Sequence, residues 1–187
     1  LLLANALPVL RPEGADASGV LPSLDTIFAR VGFTKSGLAP DAAYCDTAPL
    51  DTSNAFYPFG KQPQKFTTFY LASEEVFQRQ NAQVTITFLL AQAGGGYDDG
   101  GTTKGVGPTA LDVGIEYFNG DAWTAMGPAQ SLLDQTQSLT VGDRTHPTTI
   151  SFICPANWQA TKVNGQTKHW LRMRIDGGNY GHPLQLS

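Results

Sequence analysis

"LDVGIEYFNGDAWTAM", Leu111 to Met126, decides the fold class. Leu111, Val113, Ile115 and Tyr117 alternate with other residues, which is the period of a strand with one buried face. Asn119-Gly120 then supplies the dipeptide of a two-residue hairpin turn, where positive φ is required. A short return strand is expected through Trp123. The same period recurs in "AQVTITFLLA" (82–91), where Val84, Ile86 and Phe88 point one way and Thr85 and Thr87 the other. "KFTTFYLAS" (65–73) and "TTISFIC" (148–154) mix aromatic and β-branched residues in the same manner. Asn164-Gly165 marks a further turn before a strand opening at Trp170. At least six short strands separated by turn signals predict an all-β chain, an antiparallel, jelly-roll-like β-sandwich over residues 56–187.

Residues 1–55 read differently. Pro8, Pro12, Pro22, Pro40 and Pro49 are spread through a stretch with little periodicity, expected to be an irregular arm or linker. One short helix is expected in it, with Ser23 as N-cap, Leu24, Ile27, Phe28 and Val31 at helical spacing, and Gly32 as the stop. Leu1 to Leu10 has an apolar character, but it lacks an initiator Met and a basic start and contains Pro8. It is therefore read as part of a fragment of a longer protein, not as a signal peptide.

Composition narrows the function classes. The chain of 187 residues carries 12 Lys+Arg against 16 Asp+Glu and no basic run, which argues against binding nucleic acid by phosphate neutralisation. No apolar run approaches the roughly 20 residues of a spanning helix, so no membrane span is expected. Two cysteines, Cys45 and Cys154, allow one disulfide without requiring it. Cys154 shares its parity with Ile150 and Phe152 and is expected to be a buried free thiol.

The residues that carry chemistry are thinly spread. His146 precedes Pro147, His169 opens a strand and His182 follows the terminal glycines, and none has the spacing of a metal or triad motif, so no metal and no cofactor are expected. Glu74, Glu75, Asp112 and Glu116 are the carboxylates from which a glycosidase pair would be drawn, but sequence does not set their separation. Glu74-Glu75 reads as a polar turn. The Gly-rich stretch Ala93 to Pro108 lacks the phosphate-cradling spacing, and Asp98-Asp99 lacks a third ligand at calcium-loop spacing, so it reads as a solvated hairpin loop. No catalytic set assembles, and an enzyme is not expected. Aromatic residues are the stronger signal. Trp123, Trp158, Trp170, Tyr97, Tyr117 and Tyr180 suit either core packing or a platform that stacks on a glycan.

Four stretches in this order carry a resemblance: "FYPFGKQPQKFTTFYLASEEVF" (56–77), "AQVTITFLL" (82–90), "IEYFNGDAWTAM" (115–126) and "WLRMRIDGGNYG" (170–181). Together they resemble the large baseplate (wedge) proteins of contractile phage tails and related contractile injection systems. The third is similar to that family's Trp-Glu-Tyr-Trp-Asn-Gly-x-x-Trp hairpin, with Ile115 and Phe118 where Trp is usual. "LLDQTQSLTVGDRTHPTTISFICPANW" (132–158) also resembles its segment leading into a strand and a Pro-x-x-Trp turn. The resemblance runs from Phe56 to Gly181. It implies a structural module that helps assemble subunits around the hub of a contractile particle, built in the bacterial cytoplasm, with other baseplate or tail subunits as partners. The alternative expectation is a carbohydrate-binding sandwich in which Trp123 contacts a glycan.

In the last stretch Leu171, Met173 and Ile175 are expected to face the core and Trp170, Arg172 and Arg174 the opposite side. Arginine stems can lie along an indole while the guanidinium donates to a carboxylate on an adjoining element. Gly177 and Gly178 are expected to turn the backbone. Under the resemblance, Trp170, Arg172, Arg174 and Tyr180 are candidate interface residues.

Overall fold

The computed structural model describes residues 34–61, 63–89, 112–136 and 148–177. The helix expected at 23–31, the Gly-rich stretch 93–108, His146, Gly178, Tyr180 and His182 lie outside the described residues. The chain divides into two compact units, Leu1–Ser36 and Gly37–Ser187, and the strands lie in the second.

That unit is an antiparallel β-sandwich. Its strands are β1 (Ala42–Cys45), β2 (Ala48–Pro49), β3 (Thr68–Ala72), β4 (Gln83–Phe88), β5 (Asp112–Phe118), β6 (Trp123–Ala125), β7 (Leu133–Asp134), β8 (Thr148–Ile153), β9 (Thr161–Val163), β10 (Gln166–Lys168) and β11 (Trp170–Gly177). A six-stranded sheet runs in the order β2-β1-β3-β11-β5-β6, a three-stranded sheet in the order β4-β8-β7, and β9 pairs with β10 as a separate hairpin. Every pairing among the described residues is antiparallel.

Alternation works as the sequence predicts. Phe69, Val113, Ile115, Tyr117, Leu171, Met173 and Ile175 turn inward from the larger sheet, and Val84, Phe88, Ile150 and Phe152 meet them from the smaller one. Trp158 joins the layers. Its ring stacks on Phe77 at 4.6 Å between centroids and tilts against Tyr117 and Phe152 at 5.6 and 6.0 Å. The Pro155-to-Trp158 turn that delivers it closes with Trp158 N–H donating to the Pro155 carbonyl at 3.3 Å, and the Tyr117 hydroxyl donates to Asn157 Oδ1 at 3.1 Å.

Three expectations change. Residues 42–45 fall within the expected arm, yet β1 pairs with β3 through the register Ala42↔Ala72 to Cys45↔Phe69. A four-residue strand with Ala at two positions carries too little alternation to be read locally. Glu74-Glu75, expected in a polar turn, begins a single helical turn, α1 (Glu74–Phe77), which swings Phe77 under Trp158. The connection after β5 is four residues long rather than two. Asn119 Oδ1 accepts from the N–H groups of Asp121 and Ala122, so the Asn side chain shapes the turn and Gly120 takes its positive φ of 108°. Asn164-Gly165 does make the tight two-residue turn, with φ of 47° and 86°.

Both cysteines are free thiols. Cys154 is buried, its thiol donates to the Phe77 carbonyl at 3.2 Å, and burial pushes its pKa up to about 11. Burial, and then the neighbouring Asp46 charge, also raise Cys45.

Because Trp158 touches both sheets and α1, Trp158→Ala is expected to lower the free energy of unfolding by about 3–5 kcal/mol in a urea titration. A loss below about 1 kcal/mol would show that the ring does not hold the layers together.

Candidate functional site: the outer face of the larger sheet

The parity that sends Leu171, Met173 and Ile175 inward places Trp170, Arg172, Arg174 and Asp176 on the outer face. Arg172 sits in register between Tyr70 on β3 and Glu116 on β5, and Arg174 between Thr68 and Gly114. Beside them Trp123 on β6 lies opposite Phe118.

Arg172 is the centre of this face. Its Nε–H donates to Glu116 Oε2 at 2.6 Å, and its guanidinium carbon lies 4.3 Å from the centroid of the Trp123 ring. The Arg172 and Glu116 side chains are only 16% and 11% exposed, so each charge is largely withdrawn from water and depends on the other. Trp123 is braced by Tyr70 and Phe118 at centroid distances of 5.8 and 5.9 Å. Arg174 donates through Nε to Asp176 Oδ1 at 3.0 Å and brings its terminal nitrogen to 3.8 Å from Glu116 Oε1. Gly114 makes room for that arrangement: a Cβ there would stand 2.6 Å from Asp176 Oδ2.

The sequence anticipated an arginine lying on an indole and donating to a carboxylate of a neighbouring strand. The indole is Trp123, not Trp170. Trp170 is 0% exposed and is corrected from interface candidate to core residue. It anchors a second apolar cluster with Tyr44, Ala72 and Val163, and the β9–β10 hairpin covers it. The hairpin is tied down by Gln166 Nε2 donating to the Tyr44 hydroxyl at 2.7 Å and Asn164 Nδ2 to the Asp46 carbonyl at 2.8 Å. Among the three tryptophans, Trp123 alone is half exposed, while Trp158 and Trp170 are buried.

A second polar group, unread in the sequence, gathers where β10 passes into β11. The His169 backbone N–H donates to Glu74 Oε1 at 2.5 Å, and its ring Nδ1 stands 3.2 Å from both Glu74 oxygens. An ionised carboxylate only accepts, so Nδ1 carries the proton. The Glu74 N–H donates to Asp41 Oδ2 at 2.7 Å, and Lys168 Nζ lies 3.8 Å from that oxygen. Burial pushes the Glu74 carboxyl up, but the hydrogen bonds from the His169 backbone, the Gln78 amide and the His169 ring outweigh it and hold the group below its ordinary value. The pairing spans 95 residues, so no spacing rule reveals it.

Of the four carboxylates weighed for catalysis, Glu116 faces Arg172 and Arg174, and Glu74 faces His169. Among the described residues no three His, Cys, Asp or Glu side chains gather in a metal-binding group, and no helix is long and apolar enough to cross a membrane. No protein-family model matches the chain, and no curated protein matches it.

Two measurements check this site. In a double-mutant cycle, Arg172→Ala and Glu116→Ala are expected to couple by about 1–3 kcal/mol, as a charge-assisted hydrogen bond shielded from water does. Additive losses would mean the two charges act independently. For Glu74, the lowered carboxyl contributes stability above its unfolded value of about 4.3 and loses it as the pH falls through the folded value. The stability advantage of the wild type over Glu74→Gln is therefore expected to shrink on acidification below about pH 4.3. An advantage that grows there would reverse the assignment.

Proposed function

We propose that this domain is a structural module of a baseplate protein from a phage tail or a related contractile injection system, and that it holds a neighbouring subunit against the outer face of its larger sheet. The work is mechanical rather than catalytic: keeping subunits in place around the hub and passing on the change of baseplate shape that starts contraction. The order of the four sequence motifs supports the family. The observation that carries the role is the partly exposed set of Arg172, Trp123, Tyr70 and Arg174 gathered around the buried Glu116. Arginine and aromatic side chains with a desolvated centre and a charged margin are the composition of protein interfaces and their hot spots.

The alternative, stacking of Trp123 on a glycan, needs an open indole face. The guanidinium of Arg172 lies over that ring at 4.3 Å, which favours the protein partner.

The test uses the full-length parent protein and its gene surroundings. Neighbouring genes for sheath, tube and spike proteins are expected, and Trp123→Ala is expected to reduce retention of the protein on sedimented particles by about tenfold, equivalent to about 1.4 kcal/mol. A parent gene among lectin or secreted-enzyme genes would sink the reading, as would a glycan-array signal abolished by Trp123→Ala.

A further inference from the structure

Five described residues other than glycine have positive φ: Asp46, Phe66, Asn81, Ser131 and Asn164. Four are small and polar, types that tolerate the left-handed region through local hydrogen bonding. Phe66, at φ 74°, is the exception. Its Cβ crowds the following carbonyl in that conformation, and glycine would fit the same turn without strain.

The backbone is nevertheless clamped there. Phe66 N–H donates to the Ile175 carbonyl at 2.8 Å, Ile175 N–H donates to the Thr67 carbonyl at 3.1 Å, and the Thr68 hydroxyl donates to the Phe66 carbonyl at 3.0 Å. What the strain achieves is display: Phe66 is 60% exposed. Strain retained where the fold gains no burial points to a role outside the fold.

The ring is not bare. Lys65 Nζ lies 5.2 Å and the Arg174 guanidinium 5.8 Å from its centroid. Lys61, on the same loop, lies over Tyr57 at 5.8 Å. Neither lysine is paired with a carboxylate among the described residues, and this cationic loop belongs to a chain of net charge −4. An apolar ring rimmed by Lys65, which has no carboxylate partner among the described residues, and by Arg174, whose charge is shared with Asp176 and Glu116, is complementary to an apolar side chain flanked by acids.

We infer that Phe66, with Lys65 and Arg174, is a docking point for an acidic segment of a neighbouring protein subunit, the segment placing an aliphatic side chain on the Phe66 ring. This rests on the proposed function for the protein nature of the partner, and it extends the outer face through Arg174, which reaches both Glu116 and Phe66.

The probe is a fluorescent peptide, Glu-Asp-Leu-Glu-Leu-Asp-Glu, titrated into the full chain. A lysine-for-acid peptide and dextran sulfate serve as controls. Saturable binding of the acidic peptide is expected, with amide shifts at Lys65, Phe66 and Arg174, weakening as salt screens the charges. Phe66→Gly is expected to weaken binding at least tenfold while leaving the thermal midpoint unchanged or raised, because glycine keeps the turn and relieves it. Equal binding by Phe66→Gly, a lowered midpoint, equal binding of the lysine peptide, or binding of dextran sulfate alone would each overturn the docking point. Those results leave particle retention and its dependence on Trp123 untouched, so failure here is distinct from failure of the baseplate reading.

Discussion

The architecture depends on the two-sidedness of β11. It lies in the middle of the six-stranded sheet between β3 and β5, and successive side chains serve different masters. Leu171, Met173 and Ile175 fill the space between the sheets, while Trp170 roots a second cluster and Arg172 and Arg174 organise the outer face. A one-residue slip would send the arginines into the sandwich and the aliphatics to the outer face, so the register is fixed from both sides at once.

Charge on the outer face is handled by mutual commitment. Glu116 serves both arginines, Asp176 occupies the room left by the missing side chain of Gly114, and the Trp123 ring shields Arg172. Few freely solvated charges remain near Arg172, which lowers the loss of hydration on covering this face, as the proposed interface requires. Phe66 and Lys65 stand at the margin, where water is still present.

Much of the fold was legible because alternation is a local property. β4, β5, β8 and β11 each carry enough apolar residues at period two to declare their faces, and Cys154 followed the parity of its strand. What was not legible depends on partners distant in sequence. β1 joins the larger sheet through β3, and Trp170 is buried among Tyr44 on β1, Ala72 on β3 and Val163 on the β9–β10 hairpin. Glu74 finds His169 across the molecule. The outer face was half legible: an arginine, an indole and a carboxylate were anticipated together, but the choice of Trp123 over Trp170 required the strand order.

The hairpin over Trp170 is slight. It is two three-residue strands, it contributes Val163 to the apolar cluster beneath it, and the Trp170 indole N–H in that cluster has no hydrogen-bond partner among the described residues. Lifting such a flap uncovers only the small cluster around Trp170 and lets water reach its indole N–H, whereas parting the two sheets exposes the whole of the main core. Under load the domain therefore has an order of failure: the flap yields first, over a narrow region, while the sandwich beneath keeps its shape.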